Sequence, residues 1–234
     1  MSKSHPRQWT IRETVDRPDA QLVAELGRYP TTQIADCGGP VAVLGPAIAH
    51  LAGAVELCGP AATVWTKPGD ILFTLKSPDV VRPGDVVVID GGAREDAAVV
   101  GDILSATLSQ LGCTGVVVDG AVRDLDGIDE VGLPVYARCA YPTTGSIQGP
   151  GALNVTIQCG GVVVEPGDVI RADRSGVVLV PAGHVEEVLR LTRAVAQREV
   201  EWRAAVEAGT TLPGATGVDD LIAQLRDAAE TPAP

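Results

Sequence analysis

Three residues near the middle of the chain carry side chains suited to chemistry on a small organic acid. Asp102 is separated by twenty residues from the adjacent pair Arg123 and Asp124. Arg123 offers a planar fork of N–H donors that matches a carboxylate or an enolate oxygen. Asp124 offers hard oxygen ligands of the kind that Mg²⁺ or Mn²⁺ prefers, with water completing the coordination. Because adjacent side chains diverge, we expect no simple salt bridge between Arg123 and Asp124; the alternative is a solvated pair of loop charges.

Gly101 and Asp102 stand at the start of a helical pattern. Gly101 interrupts the stretch, and Asp102 is suited to cap the segment that begins at Ile103-Leu104. The free N–H groups in the first turn of a helix form a ready site for a carboxylate. This spacing indicates an anion site, although an ordinary helix start gives the same pattern.

A third acidic residue, Glu199, lies in the C-terminal part of the chain. Val188, Val195 and Trp202 recur at seven-residue spacing on one helix face, and Glu199 shares that face. A carboxylate in an apolar stripe needs a partner at an interface or in a site. The alternative is that Glu199 lies at the edge of the stripe and reaches water.

Several other chemistries are disfavoured by the residue inventory. The three histidines form no metal-binding pattern, and no Gly-x-Ser-x-Gly sequence indicates a serine hydrolase. None of the three lysines lies in an apolar strand, where desolvation would lower its pKa for Schiff-base chemistry. Gly91-Gly92 lacks the G-x-G spacing of a nucleotide-binding loop. Carboxylates, arginine, backbone amides and a divalent ion remain.

The elements that must position these residues follow an α/β pattern. Val86–Asp90 and Val116–Val118 are buried-strand runs, and we expect the stretch between them to be helical up to Leu111. Val80–Val86 and Val163–Val169 share the sequence V-V-x-P-G-D-V, which predicts two similar turns entering strands. Further elements are predicted as a helix over 18–28, strands over 54–57, 61–65 and 177–180, a helix over 184–208, and a short tail helix after 217.

Composition bounds the class of protein. The 234 residues are 45% hydrophobic and can fill one large core as a single domain, 1–234, with a core of about 11–183 and C-terminal helices over about 184–230. The net charge of −12 argues against a nucleic-acid partner. Five scattered cysteines indicate buried thiols in a reducing compartment. Residues 1–10 lack the apolar segment of a signal peptide, and no apolar stretch is long enough to cross a membrane, so we expect a cytoplasmic protein.

With these residues in place, the sequence resembles the class II pyruvate aldolases that act on 4-hydroxy-4-methyl-2-oxoglutarate or 4-carboxy-4-hydroxy-2-oxoadipate. Their motif D-X20-R-D is met by Asp102 and Arg123-Asp124, within Gly101-Asp102-Ile103-Leu104 and Val117–Asp124. Further similarity lies in Arg17-Pro18-Asp19, Gly132–Arg138, Asn154-Val155, Pro166–Val169 and Arg198-Glu199. The family shares its fold with ribonuclease-activity-regulator A-like proteins.

The resemblance implies an α-β-β-α sandwich that assembles as a homotrimer or hexamer, with the site at a subunit interface. Asp124 would hold Mg²⁺ or Mn²⁺, largely through water, and Asp102 would orient a metal-bound water. Arg123 would bind the pyruvyl oxygens, helped by Gly101 and the N–H groups of Ile103 and Leu104. Asp36 and Glu199 would reach in from a neighbouring subunit as outer-shell carboxylates.

The implied reaction is metal-dependent retro-aldol cleavage of a 4-hydroxy-2-oxo dicarboxylic or tricarboxylic acid to pyruvate, as in aromatic catabolism. Oxaloacetate decarboxylation is a natural side activity because it forms the same enolate. Two alternatives remain open: a dedicated oxaloacetate decarboxylase, and a non-catalytic protein-binding regulator of ribonuclease E. Asp102 weighs against the regulator, since pure regulators typically have glycine there.

Overall fold

Buried valine-rich strands form the centre of the molecule, which a computed structural model describes over residues 8–230. The expectations that concern residues 1–7 and 231–234 lie outside this range. The helices are α1 (Ala20–Leu26), α2 (Thr31–Ala35), α3 (Leu72–Lys76), α4 (Asp102–Gln110), α5 (Leu125–Val131), α6 (Val185–Glu207), α7 (Leu212–Thr216) and α8 (Val218–Glu230). The strands are β1 (Ala42–Val43), β2 (Ala49–Ala52), β3 (Leu57–Thr66), β4 (Val86–Val100), β5 (Gly115–Val122), β6 (Val135–Ala140), β7 (Gly151–Leu153), β8 (Ile157–Cys159), β9 (Val162–Val164), β10 (Val169–Asp173) and β11 (Gly176–Val180).

Within the described range, nine strands form one sheet in the order β1-β11-β10-β3-β4-β5-β6-β2, with β7 added beside β3. Strands β3, β4, β5 and β6 run parallel to one another. Strands β10, β11 and β1 continue from β3 by antiparallel pairing. Strands β8 and β9 form a separate hairpin.

The side-chain alternation along the strands divides the core into layers. Val87 and Ile89 pack on one face of β4 in a cluster that includes Leu108 and Ile128 of the helices α4 and α5. The opposite faces of β4 and β5 pack against the β8–β11 region. The far side of β10 and β11 then packs against α1, α2 and α6. The β4–β5 part and the β10–β11 part of the sheet therefore form two stacked layers between two layers of helices, which confirms the expected α/β sandwich with a C-terminal helical extension.

Two element boundaries were predicted wrongly. Only Leu57 of the predicted strand over 54–57 is in a strand, and it belongs to the same strand, β3, as residues 61–65. The stretch after Asp90 is not helical: β4 continues to Val100, with register shifts against β5 between Asp90 and Val100. Gly92 and Ala93 have positive φ, and most of residues 91–96 are exposed, so this stretch is an irregular excursion of the strand. Helix α4 therefore starts at Asp102 and Leu111 lies just beyond it.

A helix that spans a bilayer needs about 20 consecutive apolar residues. None of the helices within residues 8–230 meets this requirement.

Candidate functional site

The candidate site lies where two parallel strands end side by side. Val100 at the end of β4 is in register with Val122 at the end of β5, and the Arg123 N–H donates to the Val100 carbonyl at 2.9 Å. The residues that follow the two strands are therefore neighbours at one edge of the sheet, where open α/β folds place ligands. The pairing brings Gly101 and Asp102 next to Arg123 and Asp124, although twenty residues separate Asp102 from Arg123 in the chain.

Asp124 has a backbone conformation that turns its side chain back toward the site. Its φ is +57°, and its carbonyl accepts the N–H of Ile128 at 3.0 Å as α5 begins. Its Oδ2 lies 3.2 Å from Nε of Arg123, which corrects our expectation that these adjacent side chains diverge. The left-handed backbone at Asp124 is the physical reason, because it changes the direction in which the side chain leaves the chain. Both side chains remain more than a third exposed.

Gly101 has no side chain, and the side chains of Arg123 and Asp124 come close to the space that one would fill. A β-carbon on residue 101 would lie 2.6 Å from Oδ2 of Asp124 and 3.3 Å from Nε of Arg123. Any side chain at this position would displace one of the two charged groups. The absence of a side chain at Gly101 is thus a requirement of the site's geometry, and not only of the helix start.

Asp102 is the first residue of α4, so the N-cap is Gly101, one position earlier than expected. Its Oδ1 nevertheless accepts the Ile103 N–H at 2.7 Å. A β-carbon on Gly127 of α5 would approach Asp102 Cβ to 2.8 Å, which shows how closely α5 abuts this side chain. The Ile103 N–H is occupied by Asp102 in this state, so a substrate anion would compete with Asp102 for it.

A cavity of about 260 Å³ opens between α3, the end of β4 and the start of α4. Gly101, Asp102, Ile103, Leu104 and Arg123 all line it. Asp124 does not; it stands behind Arg123, which it contacts. Five of the six residues that we expected at the centre of the site therefore line one cavity. The sixth, Asp124, contacts the guanidinium of Arg123.

The other wall of the cavity was not predicted from the sequence. It includes Ile71 and Leu75 of the α3 region, Ala98 of β4, and Thr144. No short motif marks these residues, which come from distant segments. The sequence signal that could have found them is the turn at Gly69-Asp70.

Asp70 is a buried carboxylate that joins two segments of this wall. It accepts hydrogen bonds from the Leu72 N–H at 2.9 Å, the Gln148 N–H at 2.7 Å and the Ser146 hydroxyl at 2.7 Å. Burial disfavours the charged form of Asp70, but these hydrogen bonds outweigh it and hold its pKa below the usual value. Asp70 thereby fixes the start of α3 to the segment that follows Thr144.

Asp36 and Glu199 lie elsewhere in this chain. Asp36 follows α2, and Glu199 on α6 accepts a hydrogen bond from the Gln33 side chain of α2 at 2.7 Å. Val188 and Val195 of the predicted α6 face are buried, whereas Glu199 is half-buried. Neither Asp36 nor Glu199 lines the cavity at Arg123. A single chain does not bring them to the site.

The residues around Asp124 fit one kind of divalent site. Among residues 8–230, no three histidine, cysteine, aspartate or glutamate side chains converge as metal ligands. Mg²⁺ commonly keeps several waters and takes only one or two carboxylates. Asp124, 40% exposed and reaching over the space left free at Gly101, fits that arrangement as a single ligand of a hydrated Mg²⁺ or Mn²⁺ ion.

The four-layer α/β fold is that of the RraA-like class of proteins. The family model described as RraA-like, Aldolase/RraA, matches residues 31–179, so the chain belongs to that family, as the resemblance implied. A protein of Halalkalibacterium halodurans named "Putative 4-hydroxy-4-methyl-2-oxoglutarate aldolase" is 35% identical over 75% of this chain and 84% of its own length.

Two solved structures are similar over most of the chain. An uncharacterized protein from Pseudomonas syringae has a TM-score of 0.74 and 28% identity, and the alignment covers 86% of this chain and all of that one. Streptomyces coelicolor RraAS2, described as an unusual member of the RNase ES inhibitor RraA family, has a TM-score of 0.72 and 29% identity. That alignment covers 81% of this chain and 99% of the other. The family thus includes relatives named as aldolases and relatives named as RNase inhibitors.

Proposed function

We propose that this protein is a divalent-metal-dependent lyase that cleaves a 4-hydroxy-2-oxo acid by a retro-aldol reaction and releases pyruvate. The observation that carries the proposal is the convergence of Arg123, Asp102 and the start of α4 on one cavity, with Asp124 against Arg123. Relatives named as 4-hydroxy-4-methyl-2-oxoglutarate aldolases support the same reaction class. They make that dicarboxylic acid, with its tricarboxylic homologue, the first compounds to assay.

The chain's own groups divide the work in the proposed reaction. Arg123 binds the carboxylate and the 2-keto oxygen of the pyruvyl half through its N–H fork. The C4 hydroxyl loses its proton to solvent, the C3–C4 bond breaks, and its electron pair forms the pyruvate enolate, whose negative oxygen Arg123 stabilises. Asp102 orients the water that returns a proton to C3. A divalent ion beside Asp124 would supply Lewis acidity at the keto group.

Subunit assembly is part of the proposal. We place Asp36 and Glu199 at the site of a neighbouring chain in a homotrimer or hexamer, since neither lines the cavity of its own chain. Decarboxylation of oxaloacetate passes through the same enolate and is the expected side activity. Inhibition of a ribonuclease is the competing candidate, and the likeness to RraAS2 favours testing it.

One assay tests the proposal directly. Pyruvate release from 4-hydroxy-4-methyl-2-oxoglutarate, 4-carboxy-4-hydroxy-2-oxoadipate and oxaloacetate is followed after EDTA treatment, and again after adding Mg²⁺ or Mn²⁺. We expect EDTA to abolish release and either ion to restore it, with Arg123→Ala inactive throughout. Full turnover in excess chelator, or trapping of a covalent imine by borohydride, would rule out the metal-dependent class. No turnover of any oxo acid, together with inhibition of ribonuclease E, would favour the regulator.

A further inference from the structure

Beside the charged residues and α4, the cavity wall is formed by α3 with its flanking residues, the end of β4 and Thr144. Thr144 belongs to the segment 143–148, which is attached to the end of β4. The Ala98 N–H donates to the Thr143 carbonyl at 2.8 Å, and the Gly145 N–H donates to the Ala98 carbonyl at 3.2 Å. Because β4 ends at the site, these bonds fix the segment relative to the charged residues.

The segment 143–148 is also attached to the turn that leads into α3. The Ser146 N–H donates to the Gly69 carbonyl at 2.9 Å, and the Ile71 N–H donates to the Ser146 carbonyl at 2.8 Å. The two backbones are so close that a β-carbon on Gly145 would lie 2.7 Å from the Gly69 carbonyl oxygen. The segment therefore bridges the end of β4 and the start of α3.

The buried side chain of Asp70 adds hydrogen bonds across this junction. Its carboxylate accepts the Leu72 N–H of α3 and, from the segment, the Ser146 hydroxyl and the Gln148 N–H. Its backbone carbonyl accepts the Thr66 hydroxyl of β3 at 2.6 Å, which ties the junction to the sheet. Hydrogen bonds to a charged group are stronger than neutral ones, and a buried donor that loses its acceptor is costly. Asp70 therefore determines how firmly α3 and the segment are held together.

We propose that Asp70 is a positioning residue, which holds α3 and Thr144 where the substrate beyond its pyruvyl group must bind. This inference rests on the proposed retro-aldol function, in which Arg123 and the start of α4 take the pyruvyl half. The other half, from C4 onward, extends into the rest of the cavity, against the wall that Asp70 fixes. Asp70 does not line the cavity itself and acts only through this wall.

The expected signature is a difference between two reactions of the same site. Exchange of pyruvate methyl protons with deuterated solvent needs only the pyruvyl half, whereas retro-aldol cleavage also needs the C4 half to be held. Asparagine at position 70 has nearly the same size, but its NH₂ group donates hydrogen bonds and cannot accept those of the present donors.

The enzyme loaded with Mg²⁺ or Mn²⁺ is assayed for both reactions. Asp70→Asn should lower kcat/KM for cleavage of 4-hydroxy-4-methyl-2-oxoglutarate at least about tenfold, because a misplacement of about 1 Å costs up to about a hundredfold. The corresponding constant for methyl-proton exchange should stay within about twofold of wild type, since the groups that bind pyruvate are unchanged. Loss of cleavage and exchange in parallel, or of neither, would overturn the inference.

Asp85→Asn is the matched control for loss of a buried carboxylate. Asp85 is buried, accepts both guanidinium hydrogen bonds of Arg17 at 2.7 Å and 2.6 Å, and precedes β4 at the end remote from the site. This variant should lower the thermal midpoint and leave the ratio of cleavage to exchange unchanged. An equal fall of that ratio in both variants would reduce the role of Asp70 to general stability.

Ser146→Ala decides the question if Asp70→Asn does not fold. Ser146 is exposed, so this change removes one donor to Asp70 without disturbing the core. It should lower the ratio of cleavage to exchange at least about threefold. An unchanged ratio would place the C4 half elsewhere, and so overturn the inference while the proposed function stands. A wild-type protein that neither exchanges pyruvate protons nor cleaves any oxo acid would remove both.

Discussion

Gly101 and Asp124 are in such close proximity that a β-carbon on residue 101 would lie 2.6 Å from Oδ2 of Asp124. The backbone of Gly101 is extended, with φ −142° and ψ −174°, a conformation that alanine adopts without strain. The glycine is therefore required by the neighbouring carboxylate and not by its own dihedral angles. The site and the N-terminus of α4 are built around the same small space.

Gly101→Ala should therefore damage the site without damaging the fold. The methyl group must push Asp124 or Arg123 aside, and a misplacement of about 1 Å costs on the order of a hundredfold in turnover. We expect kcat for pyruvate release to fall by about that factor, with an unchanged circular dichroism spectrum and thermal midpoint. Gly183→Ala is the matched control, because a β-carbon there meets no atom within 4 Å. Equal activity of the two variants would show that Asp124 and Arg123 need not hold these positions.

Arg123→Lys keeps the positive charge but removes the planar fork. An ammonium group cannot donate two parallel hydrogen bonds to the keto and carboxylate oxygens, so we expect kcat/KM to fall roughly a hundredfold. Folding should change little, because the side chain is 38% exposed. Arg193 forms an exposed ion pair with Glu25, and Arg193→Lys is the control for replacing an arginine by lysine outside the proposed site. Near-normal turnover of the Lys variant would reduce Arg123 to a surface charge.

Asp102→Asn separates proton delivery from helix capping. Asparagine keeps an oxygen that can accept the Ile103 N–H, which Asp102 accepts at 2.7 Å, so α4 should still begin at the same place. It loses the charge that orients water toward C3, and we expect pyruvate methyl-proton exchange to slow by about a hundredfold with pyruvate binding retained. Asp19→Asn, at the cap of α1, gives the effect of the same change at a remote helix. Unchanged exchange in the Asp102 variant would return this residue to a structural role.

Local sequence patterns predicted much of the fold. The shared sequence V-V-x-P-G-D-V forms two similar turns, as predicted: Asp85 accepts the Arg82 N–H and Asp168 accepts the Glu165 N–H, both at 2.8 Å. Each turn has a glycine at positive φ and feeds a strand. Proline, glycine and aspartate determine such a turn within four residues, so no tertiary information is needed.

The features that were predicted wrongly or not predicted depend on contacts between residues that are far apart in the sequence or on backbone angles that the sequence does not reveal. The extension of β4 to Val100 is fixed by pairing with β5 and not by its own Gly-Gly-Ala-Arg-Glu-Asp segment, which has poor strand propensity. The contact between Arg123 and Asp124 follows from a positive φ at a non-glycine residue, which sequence does not reveal. The apolar wall at Leu75 is brought to the site by tertiary packing alone. Residue spacing therefore predicted that Asp102 and Arg123 would lie close together, whereas no local pattern predicted the apolar wall of the cavity that they line.

We propose that the carboxylate of Glu199 acts in the site of a neighbouring subunit. In its own chain Glu199 accepts a hydrogen bond from Gln33 and does not line the cavity at Arg123. Glu199→Ala should lower activity at least tenfold, the order expected for loss of a group that supports a catalytic proton path, while leaving the oligomer intact. Glu201→Ala, an exposed change two residues along the same helix, should have little effect.

Mixing inactive Arg123→Ala chains with Glu199→Ala chains then tests the shared site. In a mixed oligomer, some interfaces combine a wild-type Arg123 with a wild-type Glu199 from the adjacent chain, and we expect part of the activity to return. Arg123→Ala mixed with an Arg123→Ala/Glu199→Ala double variant is the matched control, since no interface in it regains Arg123. Native mass spectrometry establishes that the subunits have exchanged. Exchange without any return of activity would place Glu199 outside the neighbouring site and leave its bond to Gln33 as its structural role.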